Sequence, residues 1–432
     1  MRRLIPLLCL ATACAGPSVT TVRPEPPAPE TPTAPEPPPA PPGPFARELA
    51  PLPKQRVRST EGLFTAEVEA VAAPRLTRHE GSTRLEIPLG TEAPLSCFVY
   101  ERPIDAAGAV LAVAKAAQGH PGVTVRSLAP TDVSVVAGAP VMFVDVDYEV
   151  AASGDSVSAG RLKLMVSASP ELPLLCAHDE PGYARTFHRV TTGLASSLQV
   201  PGRARTPAPQ EALRVLKLDG RLAGFDWRTE RSLDGGARRS EVTTSLLLPG
   251  AAHGPRAEDR TVTTVTDGTG QLQEQRHAHA ENGQLTLQVT LRREPPPKAA
   301  PGAKAGAPAP PGTTTYRAEG RLGSRRVKGT FTSKRGIATE ETLRAAVRDE
   351  LLAKKGTAEV VLDVYRPEQE SLAPVELVLR RTPSAGPSAL TLTVGATTEE
   401  ARASPNGALE WTSRALPEGQ LTSELADTEP PS

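Results

Sequence analysis

Four sets of residues have types and spacings that chemistry can use. Cys176, His178, Asp179 and His188 fall close together, and an adjacent imidazole can activate a thiol nucleophile. That reading needs Cys176 reduced; the alternative is a thiol held in a disulfide beside a polar loop. His277 and His279 are two apart on a predicted strand. A period of two puts both on one face, where they could begin a metal site. Tetrahedral sites normally use three or four protein ligands and no third is evident nearby, so the alternative is two solvent-facing polar residues. Asp155-Ser156, within Gly154-Asp155-Ser156-Val157-Ser158-Ala159-Gly160, resembles a nucleophile site but reads better as a turn of small residues. Arg317, Arg321, Arg325, Arg326, Lys328, Lys334 and Arg335 make one hairpin basic. It could contact anionic lipid, lipopolysaccharide or another envelope polyanion. Equally, the charges could block edge-to-edge pairing. There is no nucleophile elbow, phosphate-binding glycine loop, His-Glu-x-x-His helix or Ser-x-x-Lys. The expectation is therefore no catalysis, no cofactor and no bound metal.

The amino terminus carries a different signal. Met1-Arg2-Arg3 is a short positive region, residues 4–10 are apolar, and Ala11-Thr12-Ala13 place small residues before Cys14. The layout fits a secretory signal and resembles the lipobox of bacterial lipoproteins, with Ala11 where that family usually has Leu. The resemblance implies cleavage after residue 13, acylation of Cys14, and a cell-envelope location with the membrane as partner through the lipid. Ala15-Gly16, rather than an Asp, follows Cys14, which by the same analogy favours the outer membrane. Cys9 would leave with the signal. Cys97 and Cys176 would then be the two thiols of the folded body, and in an oxidising compartment they most simply form one disulfide. A loop of that length is worth about 4 kcal/mol in the chain-entropy model. The other reading is two separate buried thiols.

Residues 17–44 are almost half proline, a composition that favours extended polyproline II over a packed core. At ~3.1 Å per residue the tract could hold the body ~90 Å from the membrane. No later stretch has the ~18–20 uninterrupted apolar residues of a membrane helix. The 432 residues suffice for two or three domains. Formal charge is zero, with 49 basic and 49 acidic residues, and aromatics are 3%. Neither feature suits a nucleic-acid partner.

The pattern predicts an α+β chain. Residues 1–13 form the signal, and 14–54 the lipidated cysteine and tether. In 55–200, strands at 63–68, 83–87 and 95–100 precede a helix over 104–118 that begins at Asp105. Strands at 123–128, 141–150, 157–167 and 172–176 and a helix over 183–198 follow. This reads as an N-terminal antiparallel sheet with two helices packed on one face. The element order resembles PsbP-like domains, which implies binding or scaffolding. A linker spans 201–210. A mostly antiparallel β domain with one helix, at 340–355, then occupies 211–425. It has a Pro/Ala/Gly/Lys loop at 295–311 and precedes a polar tail at 426–432. Asp219-Gly220 and Asn282-Gly283 are its strongest hairpin signals. Whether 211–294 and 312–425 make one sheet or two stays open. A curved sheet carrying one helix could form a half-barrel, which resembles lipid-carrying envelope lipoproteins.

Two functions follow as expectations. One is a non-catalytic binding or scaffold lipoprotein that meets an envelope protein or lipid. The other is an accessory carrier whose β domain holds a lipid-like apolar ligand. A cavity between sheet and helix would favour the carrier, and a filled core the scaffold.

Overall fold

A computed structural model describes residues 43–151, 157–202, 210–250, 254–295, 313–354, 356–382, 386 and 388–426. The signal peptide, Cys14, the proline-rich tract through residue 42, Asp155-Ser156, most of the 201–210 linker and nearly all of the 295–311 loop lie outside them.

β1 (Lys54–Arg58) and β2 (Thr65–Glu69) form a two-stranded ribbon. The first large sheet comprises β3 (Arg75–His79), β4 (Ser82–Ile87), β5 (Leu95–Tyr100), β6 (Val123–Val136), β7 (Ala139–Ala151), β8 (Val157–Ser167) and β9 (Leu174–Asp179). Its spatial order is β3-β4-β5-β9-β8-β7-β6, antiparallel throughout. Helix α1 (Ala106–Gln118) follows β5, and α2 (Ala184–Ser197) follows β9. Five strands thus precede α1, because β1 and β3 join the three expected there.

The expectation that both helices share one face is wrong. Strand side chains alternate between faces, and β7 is apolar on both. Val141 and Phe143 pack with Phe187, Val190 and Leu194 of α2. Met142, Val144 and Val146 pack with Val110, Leu111 and Ala114 of α1. The sheet therefore lies between the helices. On the α2 face, Cys97 of β5 stands opposite Cys176 of β9, and the two are disulfide-bonded and buried.

The second sheet has fourteen strands: β10 (Gln210–Leu218), β11 (Arg221–Ser232), β12 (Arg238–Leu248), β13 (Arg256–Thr266), β14 (Leu272–Glu281), β15 (Gln284–Arg293), β16 (Thr314–Leu322), β17 (Arg325–Ser333), β18 (Glu359–Val364), β19 (Val375–Arg381), β20 (Ala389–Val394), β21 (Thr397–Ala403), β22 (Leu409–Leu416) and β23 (Gly419–Leu425). Each pairs antiparallel with its sequence neighbour, except that β17 does not pair with β18 and β10 pairs with β23. Residues 211–294 and 312–425 therefore belong to one sheet. Its open edges are β17 and β18, and Ile337, four residues beyond the end of β17, forms a parallel bridge to Asp363 of β18. Asp363 strengthens that closure by accepting from Ser333 Oγ at 2.6 Å and Arg335 Nη1 at 2.9 Å. The sheet is nearly a closed barrel rather than half of one.

Between those edges the expected helix over 340–355 is shorter. α3 (Glu340–Ala345) runs into a π-helical turn over Ala346–Leu352. Thr339 caps it, and its hydroxyl accepts from Thr342 N at 3.3 Å. Val347 and Leu351 are fully buried against Leu377, Leu379, Leu390 and Leu392.

Helix α1 joins the two sheets. It packs on β12 and β13, which carry Leu247 and Ala257, while β10 and β11, with Leu213, Phe225 and Trp227, pack directly on β6 and β7 in the same buried cluster. The Asp105 side chain makes no cap hydrogen bond. Instead Asp259 of β13 accepts from Ala107 N at 3.0 Å, Gly108 N at 2.8 Å and Ser245 Oγ at 2.6 Å. A Cβ on Gly108 would stand 2.9 Å from the backbone of Gly283, so the helix can sit there only as glycine. Gly283 itself occupies the Asn282-Gly283 turn, with φ of 53° and 76°, as a tight hairpin requires.

Two losses of stability are expected. Asp259→Ala leaves two helix N–H groups buried without acceptors, a cost of about 2–3 kcal/mol, read as a lower urea midpoint. A change under about 0.5 kcal/mol would mean that the cap is dispensable. Replacing Cys97 and Cys176 together with Ala should cost about 4 kcal/mol in the chain-entropy model. Unchanged melting under reducing conditions would contradict that.

Candidate functional site

The functional candidate is the hollow of the second sheet. Strand register builds it. His279, Arg260, Thr244, Asp226 and Arg214 stand side by side on β14, β13, β12, β11 and β10. Beside this row the register places Leu216 and Leu246 at one end and the charged Glu258 and Glu281 at the other. The segment after β18 reaches across the hollow to meet it. Tyr365 is buried and stacks on Phe331 with ring centroids 5.8 Å apart, and its hydroxyl donates to Ser371 O at 3.0 Å. That anchors the residues that follow, so Glu368 lies 3.5 Å from Arg260 and 3.8 Å from Arg366. Arg414 of β22 pairs with Glu399 at 3.4 Å. The cavity, open on one side, is about 670 Å³, within the usual range of small-molecule sites.

The electrostatics follow from depth. Burial pushes the Asp226 carboxyl upward, against the donating Thr244 hydroxyl and the nearby Arg214, Arg414 and Arg260. Burial lowers Arg260 and Arg214 as well. His277 is 3% exposed. Burial, with Arg260 and Arg366 nearby, pushes its pKa down to about 3, so its ring is neutral near pH 7. Among the described residues both His277 ring nitrogens lack a hydrogen-bond partner, as do Gln275 Oε1 and Ser423 Oγ, and all three residues line the cavity.

His277 and His279 share a face as their spacing required, but that face points into the hollow and not to solvent. Among the described residues no group of three or more His, Cys, Asp or Glu is placed to hold a metal. The Cys176 cluster does not converge. Cys176 is bonded to Cys97, and His178 is buried with its pKa pushed down to about 4 by burial and by Lys163. Asp179 accepts from the Tyr148 hydroxyl at 2.5 Å. His188 stacks on Phe143 and lies 3.2 Å from Asp132. In the basic hairpin, Arg317, Arg321, Arg326 and Lys328 share the outer face of β16 and β17 by register. Arg325 lies on the opposite face, where it donates to Ser371 Oγ at 3.3 Å. Sequence reasoning missed Asp226, Arg260, Arg366 and Glu368. The available signal was charge on both faces of one strand, since Glu258 and Asp259 are consecutive in β13.

A second cleft, about 800 Å³, lies between the sheets beside Glu211 and Trp227, whose Oε1 and Nε1 are also unpartnered.

Comparison with known proteins gives no matching family model and no similar curated sequence.

His277 should make the fold acid-sensitive. Its folded pKa lies below the unfolded value of ~6.5, so its contribution is complete above about pH 6.5 and is lost as pH falls toward 3. From pH 6.5 to 5 that loss is about 2 kcal/mol. His277→Leu should remove this share of the pH dependence in urea unfolding. Parallel pH profiles for both proteins would refute it.

Proposed function

We propose that this chain is a lipid-anchored cell-envelope protein acting as a non-catalytic binding module. The observation that carries the reading is the contrast between the packing under α3 and the hollow of the second sheet. The contact between its π turn and β19–β20 is filled with aliphatic side chains, while the nearby hollow is open and lined with charge. A carrier of an apolar lipid would need the reverse, because an apolar chain laid over guanidinium and carboxylate groups strips them of water without replacing its hydrogen bonds. The welding of both sheets through α1 supports a scaffold role, since it gives the body fixed outward surfaces.

One of those surfaces is the outer face of β16 and β17. Arg317, Arg321, Arg326 and Lys328 are exposed there, and Arg292 lies directly beside Arg317. Contact with an anionic envelope component through this face belongs to the same reading, with an envelope protein or lipid as partner. The proposed location is the outer membrane, and the proposed anchor is acylated Cys14.

The deciding experiment is intact mass spectrometry of the protein extracted from membranes of its native host. The expected species begins at Cys14 and carries acyl mass. An unmodified chain that still begins at Met1 would remove both anchor and location.

A further inference from the structure

The hollow has more hydrogen-bonding capacity than its own residues use. Arg260 and Arg366 each meet an acceptor only in Glu368, at 3.5 and 3.8 Å, and neither makes a hydrogen bond among the described residues. A guanidinium carries five N–H donors in a fixed fork that matches an oxyanion. Two such forks therefore face one cavity with their donors free. His277 is 3% exposed and contributes a neutral ring with one donor and one acceptor, both unpartnered. Ser423 adds an unpartnered hydroxyl at 7% exposure. Buried polar groups in folded proteins are nearly always satisfied, so the orphaned His277 and Ser423, beside two partly exposed guanidinium groups, mark a place built to receive polar atoms.

The carboxylates present do not meet this need. Glu399 is engaged by Arg414 at 3.4 Å and Glu258 by Arg256 at 2.9 Å. Glu368 is shared between two arginines, and Asp226 accepts from Thr244. Glu281, the remaining carboxylate of the lining, stands one strand beyond Arg260, paired with Glu258 in the ladder. The apolar side of the cavity is continuous with a buried cluster that includes Leu216, Leu246 and Leu421.

We infer that the hollow binds an amphipathic organic oxyanion, a carboxylate, sulfate or phosphate ester. Its charged group lies between Arg260 and Arg366, and its short apolar body lies against Leu216, Leu246 and Leu421. His277 and Ser423 bond the remaining oxygens of the head. The proposal rests on the binding-module reading and names its ligand. It differs from a store for fully apolar lipid because the head supplies the acceptors that the arginines lack.

The test is calorimetric titration of the full-length protein in non-ionic detergent with hexyl phosphate, inorganic phosphate and hexyltrimethylammonium. Hexyl phosphate should bind one per chain, at least tenfold more tightly than inorganic phosphate, with no heat from the cation. Arg260→Ala should weaken hexyl phosphate at least tenfold. Arg366→Ala, outside the sheet and so the safer variant for folding, should do the same, with unchanged circular dichroism as the check. Leu421→Ala should weaken hexyl phosphate while leaving inorganic phosphate unaffected. Absent binding, equal binding of the cation, or affinity indifferent to both arginine variants would overturn the inference. Equal affinity for inorganic phosphate would also overturn it, since a free anion would then be the whole ligand. If these titrations fail while the acylated Cys14 species is found, the ligand class falls and the envelope reading stands.

Discussion

The carboxylate of Asp259 holds the two halves of this protein together. The first turn of an α-helix has N–H groups with no partner inside the helix, and its end carries partial positive charge. In α1 that end is buried between two sheets, so water cannot serve it. Asp259 reaches it from β13, 151 residues away from Gly108 in sequence. The arrangement works only if β13 and α1 keep their separation, which the Gly108–Gly283 contact sets at backbone distance. Burial pushes the Asp259 pKa up to about 6 even with three donors on it, and nearby Asp105 adds to the rise. The ion is therefore costly to bury, and its donors offset much of that cost.

The second helix uses the same device. Glu48 accepts from Arg185 N at 2.9 Å and from Thr186 N at 2.7 Å, fixing the strand-like lead-in of the body to the start of α2. Burial raises the Glu48 carboxyl, but Thr186 and the two N–H groups outweigh it, and its pKa ends below the usual value. Both helices that sandwich the first sheet are thus capped from outside their own segment. With the Cys97–Cys176 bond inside that sheet, the layers are held by polar or covalent ties as well as by apolar area.

This explains which features could be read from the sequence. The Asp219-Gly220 and Asn282-Gly283 hairpins were legible because their chemistry is local: two adjacent residues must take positive φ. The α2 stripe of Phe187, Val190 and Leu194 was legible because helical period and burial coincide. β3 was not, since four of its five residues are exposed and no alternation survives. Asp105 looked like a cap by position, but the actual acceptor comes from another sheet, which no local rule can reveal. The opposite placement of the helices was hidden for a related reason. A strand apolar on both faces, such as β7, does not say which helix covers which face. The inward face of His277 was lost because polarity normally marks the outside of a strand. In a nearly closed sheet with a charged hollow, that rule inverts.

The hollow could have been apolar at little structural cost. Leu216, Leu246 and Leu421 already fill the end next to the polar row, and the sheet tolerates leucine at adjacent register positions. Well-packed apolar residues are often as stabilising as a buried ion cluster or more so, and each unmade buried hydrogen bond costs about 1–3 kcal/mol. On stability alone, Asp226, Arg260 and His277 are therefore poor choices for β11, β13 and β14. Ordered water could recover part of that cost, but it does not explain why the segment after β18 folds inward to bring a second arginine to the first. The Tyr365 anchor, buried on Phe331 and tied to Ser371, holds that inward course. A segment fixed so that Arg366 and Glu368 both meet Arg260 leaves more guanidinium donors than its one carboxylate can satisfy, and a further acceptor arriving there would use them.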